Sequence, residues 1–310
     1  MEVFVMKKFW SAVLVLVILA AIAVVFFPEE VASLRYGFKR QQPVTMDGAK
    51  TVETELIYEG KKPDGVGSVQ SFAIAGDYYI IAGRPSGSAE KGGETNNQLI
   101  IIKRSTKEDL TSRYFAAGKT FELGHANGMT FNPKTNEIIV VGKRNEAGKY
   151  ELATRVSLND FSVKGTDKMP CYGTGIAYDS ARETYIVRSG NTIYTLSGIP
   201  GMAKKEVSID AAFTSQDMGF NDGYTYLVNW INDGSDATAK KYNLEENQNV
   251  IYKVDSRGKV VGIFVVKSPK QELEGIDFVN GEVYLLYNGV GKNSDKFYIY
   301  RLKLTADDLK

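Results

Sequence analysis

The chain's one histidine, His125, lies in the segment ELGHANGMTF (122–131). An imidazole titrates near neutral pH, so His125 is a candidate general acid or base. Facing Asp217 or Glu274 across a narrow channel, it would form an acid/base pair. Bonded to neighbouring backbone, it would be structural. A serine nucleophile would have to be Ser71 or Ser215, and no GxSxG elbow is present. With one histidine and one cysteine, Cys171, the chain can form no intrachain disulfide, CxxC zinc site, iron–sulfur cluster or multi-histidine metal centre. There is no phosphate loop and no GxGxxG between a strand and a helix, so no cofactor is expected. NDGSD (232–236) is rich in oxygen ligands for Ca²⁺, but the twelve-residue loop pattern is absent. A polar loop is the plainer reading. Trp230, at the head of that insertion, offers either a stacking face for a sugar or a core packing group.

Charge and composition narrow the partners. The 310 residues carry 38 Lys+Arg against 37 Asp+Glu. Removing residues 1–27 takes away Lys7, Lys8 and Glu2 and leaves 36 of each sign. A neutral body gives no electrostatic reason to expect nucleic-acid binding. Eighteen Tyr, 30 Gly and only 8 Pro favour strands and tight turns.

Residues 9–27 (FWSAVLVLVILAAIAVVFF) run for 19 residues without a charge. At about 1.5 Å per residue, such a helix nearly spans a ~30 Å hydrocarbon layer. Lys7 and Lys8 before it place residues 1–8 in the cytoplasm and the body outside. The expectation is a single-pass anchor in the cell membrane. A cleaved signal peptide is the alternative, with Ala21-Ile22-Ala23 as the cleavage site. Residues 28–50 are polar without a clear period and read as a tether, leaving 51–310 as the folded body.

Within that body one pattern recurs five times. It appears as QSFAI (70–74), NGMTF (127–131), TGIAY (174–178), QDMGF (216–220) and EGIDF (274–278). The last residues of these segments lie 57, 47, 42 and 58 apart. The shorter spacings match a four-stranded propeller blade of ~40–50 residues. Hairpin turns follow each segment, among them Gly76-Asp77, Asn221-Asp222-Gly223 and Asn280-Gly281. Second and third strands come next, then fourth strands at Arg113–Glu122, Ser162–Lys168, Lys204–Ile209 and Lys259–Val266. The fifth repeat lacks a fourth strand, and a spare one stands at Thr51–Tyr58. The spare strand pairing with Phe297–Leu304 would close a ring and hide its edges. The expected fold is all-β, a five-bladed β-propeller. Six blades remain open if one is disguised in a longer spacing, and a β-sandwich is the alternative.

Strand parity puts the starts of the inner strands at one channel mouth. They bring Gln70, His125 with Asn127, Tyr172 with Thr174, Gln216 with Asp217, and Glu272 with Glu274. The insertions Arg84–Asn97, Asn232–Asn249 and Gly289–Asp295 crown the same face, where long loops commonly carry function. The repeat motifs resemble the inner-strand signature of exported bacterial propellers, among them the helveticin-like and glutamine-cyclotransferase-like groups. That resemblance covers roughly residues 51–304 and implies the fold. Glutamine-cyclotransferase similarity would imply amide-cyclising chemistry near Glu274, but the rest of that family's pattern is absent and the activity is not carried over. The functional expectation is a membrane-tethered extracytoplasmic module that binds an envelope peptide or glycan at the mouth through this ring and Trp230. The alternative is a hydrolase, lyase or cyclase using His125, Asp217 and Glu274. A structural scaffold is the third reading, which a dry, side-chain-filled channel would favour.

Overall fold

The computed structural model describes residues 46, 48–86, 96–144, 151–201, 203–209, 214–230, 249–267 and 271–309. The chain divides into two units, Met1–Gln42 and Pro43–Lys310, and the described residues belong to the second. The 9–27 segment, most of the tether and the NDGSD loop lie outside them. Among the described residues no helix is long and apolar enough to cross a membrane.

Strand β1 (Lys50–Lys61) comes first. The remaining strands form antiparallel meanders in chain order. The first is β2 (Val66–Ala75), β3 (Tyr78–Pro85), β4 (Asn96–Lys103) and β5 (Glu108–Asp109), with β6 (Phe121–Glu122) also pairing with β4. The second is β7 (Gly128–Asn132), β8 (Glu137–Arg144), β9 (Glu151–Ser157) and β10 (Val163–Met169). The third is β11 (Gly175–Asp179), β12 (Thr184–Ser189), β13 (Thr192–Leu196) and β14 (Ala203–Ser208). The fourth is β15 (Thr214–Asn221), β16 (Tyr224–Trp230), β17 (Asn249–Val254) and β18 (Val260–Lys267). The fifth is β19 (Glu272–Val279), β20 (Glu282–Asn288) and β21 (Lys296–Leu302), completed by β1.

The first strands of the meanders pack side by side in the order β2, β7, β11, β15, β19 and back to β2. Hydrophobic clusters fill the spaces between neighbouring sheets: first and second, second and third, third and fourth, fourth and fifth, and fifth and first. A middle strand is therefore covered on both faces. That is why β17 reads Asn-Val-Ile-Tyr-Lys-Val and is buried at every position. An outer strand such as β14 (AKKEVS) faces water along most of its length. The inner hairpins turn through Asp222-Gly223 and Asn280-Gly281, with φ of 48° and 83°, and 52° and 77°. Paired positive φ values are what a two-residue turn matching strand twist requires.

Closure follows the expected route. β1 pairs antiparallel with β21 from Thr54↔Leu302 to Lys61↔Lys296. Its first residues pair parallel with β18, from Lys50↔Phe264 to Glu53↔Lys267, so one strand joins the fourth and fifth sheets. Arg301 forks between Glu55 of β1 and Glu282 of β20, and Lys296 reaches Glu59 at 2.6 Å.

One expectation is corrected. Arg113–Glu122 does not run as a fourth strand. It contains a helical turn, Thr111–Tyr114, and the two residues of β6. Here strand pairing gives way to an aromatic corner. Phe115 packs edge-on against Phe121 and Phe161, with ring centroids 5.4 Å apart in both cases, and Tyr114 packs on Phe161 at 4.9 Å. The corner and residues 87–95 take up the extra length of the 57-residue spacing. Residues 231–248 take up that of the 58-residue spacing.

Gly60 of β1 tests whether the closing strand is integral. A methyl there would lie 2.7 Å from the Tyr58 ring and press into Phe297. Gly60→Ala is expected to cost ~1–3 kcal/mol by overpacking. Urea titration followed by circular dichroism and tryptophan fluorescence is expected to show one transition shifted to lower urea. A body whose main transition does not move would mean that β1 is an appendage.

Candidate functional site

The mouth is built by a shared irregularity. Four positions before the last residue of each repeat segment (Ile74, Phe131, Tyr178, Phe220 and Phe278) stand Gln70, Asn127, Thr174, Gln216 and Glu274. In β2, β15 and β19 the ladder slips at this point, between Val69 and Ser71, Ser215 and Met218, and Leu273 and Gly275. In β7 and β11 the ladder begins only one residue later, at Gly128 and Gly175. A β-bulge bends its strand and re-aims a side chain. Here it sets Gln70, Gln216 and Glu274 off the ladder, while Asn127 and Thr174 stand just before theirs begins.

The re-aimed groups link neighbouring blades. Gln70 Nε2 lies 3.5 Å from Glu274 Oε1, and Gln216 Nε2 lies 3.3 Å from Glu272 Oε1. Thr174 and Ser215 hydroxyls meet at 2.9 Å, and Asn127 Nδ2 donates to Tyr172 OH at 2.9 Å. The remaining step, from second blade to first, is made by Ser71 Oγ donating to Ala126 O at 2.7 Å. Arg84 and His125 add to it, with Nη1 and Nε2 3.4 Å apart. A guanidinium cannot accept, so Nε2 is the acceptor in that contact. The His125 amide donates to Gly142 O at 2.9 Å. Trp230 continues β16 through backbone pairing with Thr214 and Asn249; its side chain lies outside the described residues.

Carboxyl groups descend from this ring along the axis. Glu272 and Glu274 hydrogen-bond each other, and burial raises both. Glu274 rises well above the usual range, pushed further by the charge on Glu272, so it holds the shared proton. Asn288 and Lys62 favour the ionised form of Glu272. The buried Lys62 ammonium donates to Gly67 O at 2.9 Å and Ser294 O at 2.7 Å. Within the register slip in β15, Asp217 is fully buried. A Cβ on Gly128 would lie 2.9 Å from its Oδ1, so the carboxyl plugs the waist of the channel. The amides of Met218 and Ile176 face it without closing a hydrogen bond to either oxygen. Burial holds Asp217 well above the carboxylate range. Lower still, Asp277 accepts from the amides of Ile74 at 2.7 Å and Phe278 at 2.8 Å. Burial raises it to about 6.

The structure therefore gathers Gln70, Gln216, Glu272 and Glu274 at one point, and Asn127, Tyr172 and Thr174 further round the ring. Glu274 and Asp217 sense each other electrostatically. His125 stands beside Arg84, and Asp217 is sealed from solvent. Sequence reasoning missed Lys62, Asp277 and Arg188. Arg188 is fully buried; its Nη2 donates to Asn229 Oδ1 at 2.6 Å and its Nε to Gly190 O at 3.0 Å. It also donates to Val228 O, holding the strand opposite the Gln216 bulge. The signal was a lone charge, Arg188, in the otherwise apolar run TYIVRS.

Glu274, Asp217 and Asp277 each bind a proton more tightly when folded. Between the unfolded carboxylate range and the raised values the folded state holds more protons, so stability falls as pH rises. For Asp277 that window runs from 3.8 to about 6. Asp160 and Asp308, lowered to about 2, act in the opposite sense but only at lower pH. The melting temperature is expected to fall from pH 5 to pH 8. Asp217→Asn is expected to raise it at pH 8 by ~2–4 °C, which corresponds to ~1 kcal/mol, and to flatten the profile. Scanning calorimetry of both proteins across this range checks it; identical slopes would mean that Asp217 is not protonated.

No family profile matches the chain, and no curated protein matches it significantly. Solved structures do. Glutaminyl cyclase of Myxococcus xanthus superposes with a TM-score of 0.53 at 13% identity, over 85% of this chain and 100% of that one. The GH43_1 enzyme of Xanthomonas citri, solved with xylotriose, gives 0.51 at 10% identity, over 81% of this chain and 92% of that one. At such identities the likeness shows the fold, and that fold is a β-propeller.

Proposed function

We propose that this chain is a five-bladed β-propeller, tethered to the cell membrane by residues 9–27 with its body outside the cytoplasm. In this reading it binds an envelope peptide or glycan at the channel mouth. The meanders and the clusters between them support the blade count. The observation that carries the binding role is the inter-blade ring ending at Glu272 and Glu274. Amide donors from Gln70 and Gln216 alternate there with carboxyl acceptors, and hydroxyls or amides of a polar, uncharged ligand complement such a set. Side-chain filling is tightest at the waist, around Asp217, while Gln216, Glu272, Asn127, Tyr172 and Thr174 keep part of their surface in water. That favours a binding mouth over a pure scaffold.

A second reading, an acid/base enzyme, draws on one specific feature. Glu274 is raised well above the carboxylate range beside Glu272, which burial raises less far because Asn288 and Lys62 oppose it, so the stronger and the weaker acid stand together. His125 and Asp217 complete the set expected from the sequence. Two propellers of similar fold bear enzyme names, glutaminyl cyclase and GH43_1.

Calorimetric titration of the chain with cell-wall glycan fragments and peptides distinguishes these readings. Saturable binding is expected, weakened at least tenfold (~1.4 kcal/mol) by Glu274→Gln or Glu272→Gln, with both variants folded as judged by circular dichroism. Binding that ignores both variants would reject the mouth as the site. Mass spectrometry of the same mixtures reads turnover; new products with a bell-shaped pH profile would select the enzyme. For the anchor, protease added to intact cells is expected to digest the body while residues 1–8 stay protected. Protection of the body would reverse the orientation.

A further inference from the structure

The aligned aromatic position of the repeat, used above only to count blades, lines a second opening at the other end of the axis. There Phe131, Tyr178, Phe220 and Phe278 surround a cavity of about 770 Å³, with Ile74 in the fifth place. All four rings are partly exposed. Two of them pack on buried rings: Phe278 lies 4.7 Å from Tyr226 and Tyr178 lies 5.0 Å from Tyr185, centroid to centroid. One residue deeper along the inner strands, Asp277 lines the same cavity. Each of its oxygens takes one backbone amide, which leaves further lone pairs for a ligand. Asp222, exposed on the β15–β16 turn, adds a second carboxylate to the lining. The cation in the lining, Arg182, is tied to Asp179 at 2.7 Å, so the cavity is negative. Asp217 at the waist stands between this cavity and the upper mouth.

We propose that this lower cavity is a binding site for a small organic ammonium ion carried on an apolar body. The ammonium sits against Asp277 within the aromatic collar, and the apolar body fills the space between the rings. The volume suits a ligand of that size. Ring faces attract a cation, and do so more strongly where water is excluded. A carboxylate at the base of an apolar cup fixes its orientation. An anionic ligand would meet Asp277 and Asp222 without a free cation in the lining to offset them, and a neutral one would leave the Asp277 lone pairs unmatched.

Benzyltrimethylammonium, benzyl alcohol and benzenesulfonate are the probes, titrated calorimetrically at pH 8 into the 310-residue chain in a nonionic detergent, with empty micelles subtracted. The ammonium is expected to bind saturably and at least tenfold more tightly than the alcohol, with no binding of the sulfonate. Asp277→Asn and Phe220→Leu are each expected to weaken the ammonium at least fivefold and to leave the alcohol unchanged. Phe220→Leu keeps apolar bulk but removes the ring face. It decides the matter alone if Asp277→Asn, which turns an amide donor toward the backbone amides, fails to fold. Equal binding of cation and alcohol, no saturable binding of the cation, or full affinity in Phe220→Leu would overturn the proposal.

Discussion

Inner strands that share one axis must pass each other at the distance of bare backbone. A Cβ on Gly128 would meet Gly175 Cα at 2.6 Å, one on Gly175 the Met218 amide at 2.8 Å, and one on Gly275 the Phe72 ring at 2.8 Å. These glycines occupy the same place in their repeats, with Ser71 in the first and Asp217 in the fourth. The tight waist brings the strands into contact, and the clusters between sheets then fan outward from it. It also divides the channel into two mouths of different chemistry, polar above and aromatic below.

The exception at the waist sets the electrostatics of the interior. A carboxyl placed where the other repeats have glycine or serine is cut off from water and stays protonated. It lies within electrostatic reach of Glu274 above, and Asp277 below raises it further. The protonation states of the two mouths are therefore not independent. Arg188, on the neighbouring blade, is buried as well, and burial lowers it to about 9.

Much of this was legible in the sequence, because a repeated pattern of polar entry and apolar alternation is a local property that the fold preserves. The closing role of the 51–58 segment could be read because one strand was missing at the end of the pattern and one was spare at its start. The aromatic corner was not legible, since its stability comes from Phe161 in the second meander rather than from residues 113–122. The bulges at Gln70, Gln216 and Glu274 were equally hidden. A register slip depends on the partner strand, and nothing in QSFAI or EGIDF announces it. Strand parity singled out the mouth residues, whereas the lower collar was passed over. An aromatic residue at a repeating position reads as core until the structure shows its ring half in water.

Strand β1 has a consequence for biosynthesis. It leaves the ribosome before the other strands, yet its partner β21 lies about 240 residues later. At ~5–20 residues per second this amounts to roughly 10–50 s during which β1 and the growing sheets have no means of closing. Throughout that interval the chain carries unpaired edges and half-covered apolar faces. Translation speed and the holdases that meet the nascent chain therefore bear on the yield of this protein as directly as its final stability does.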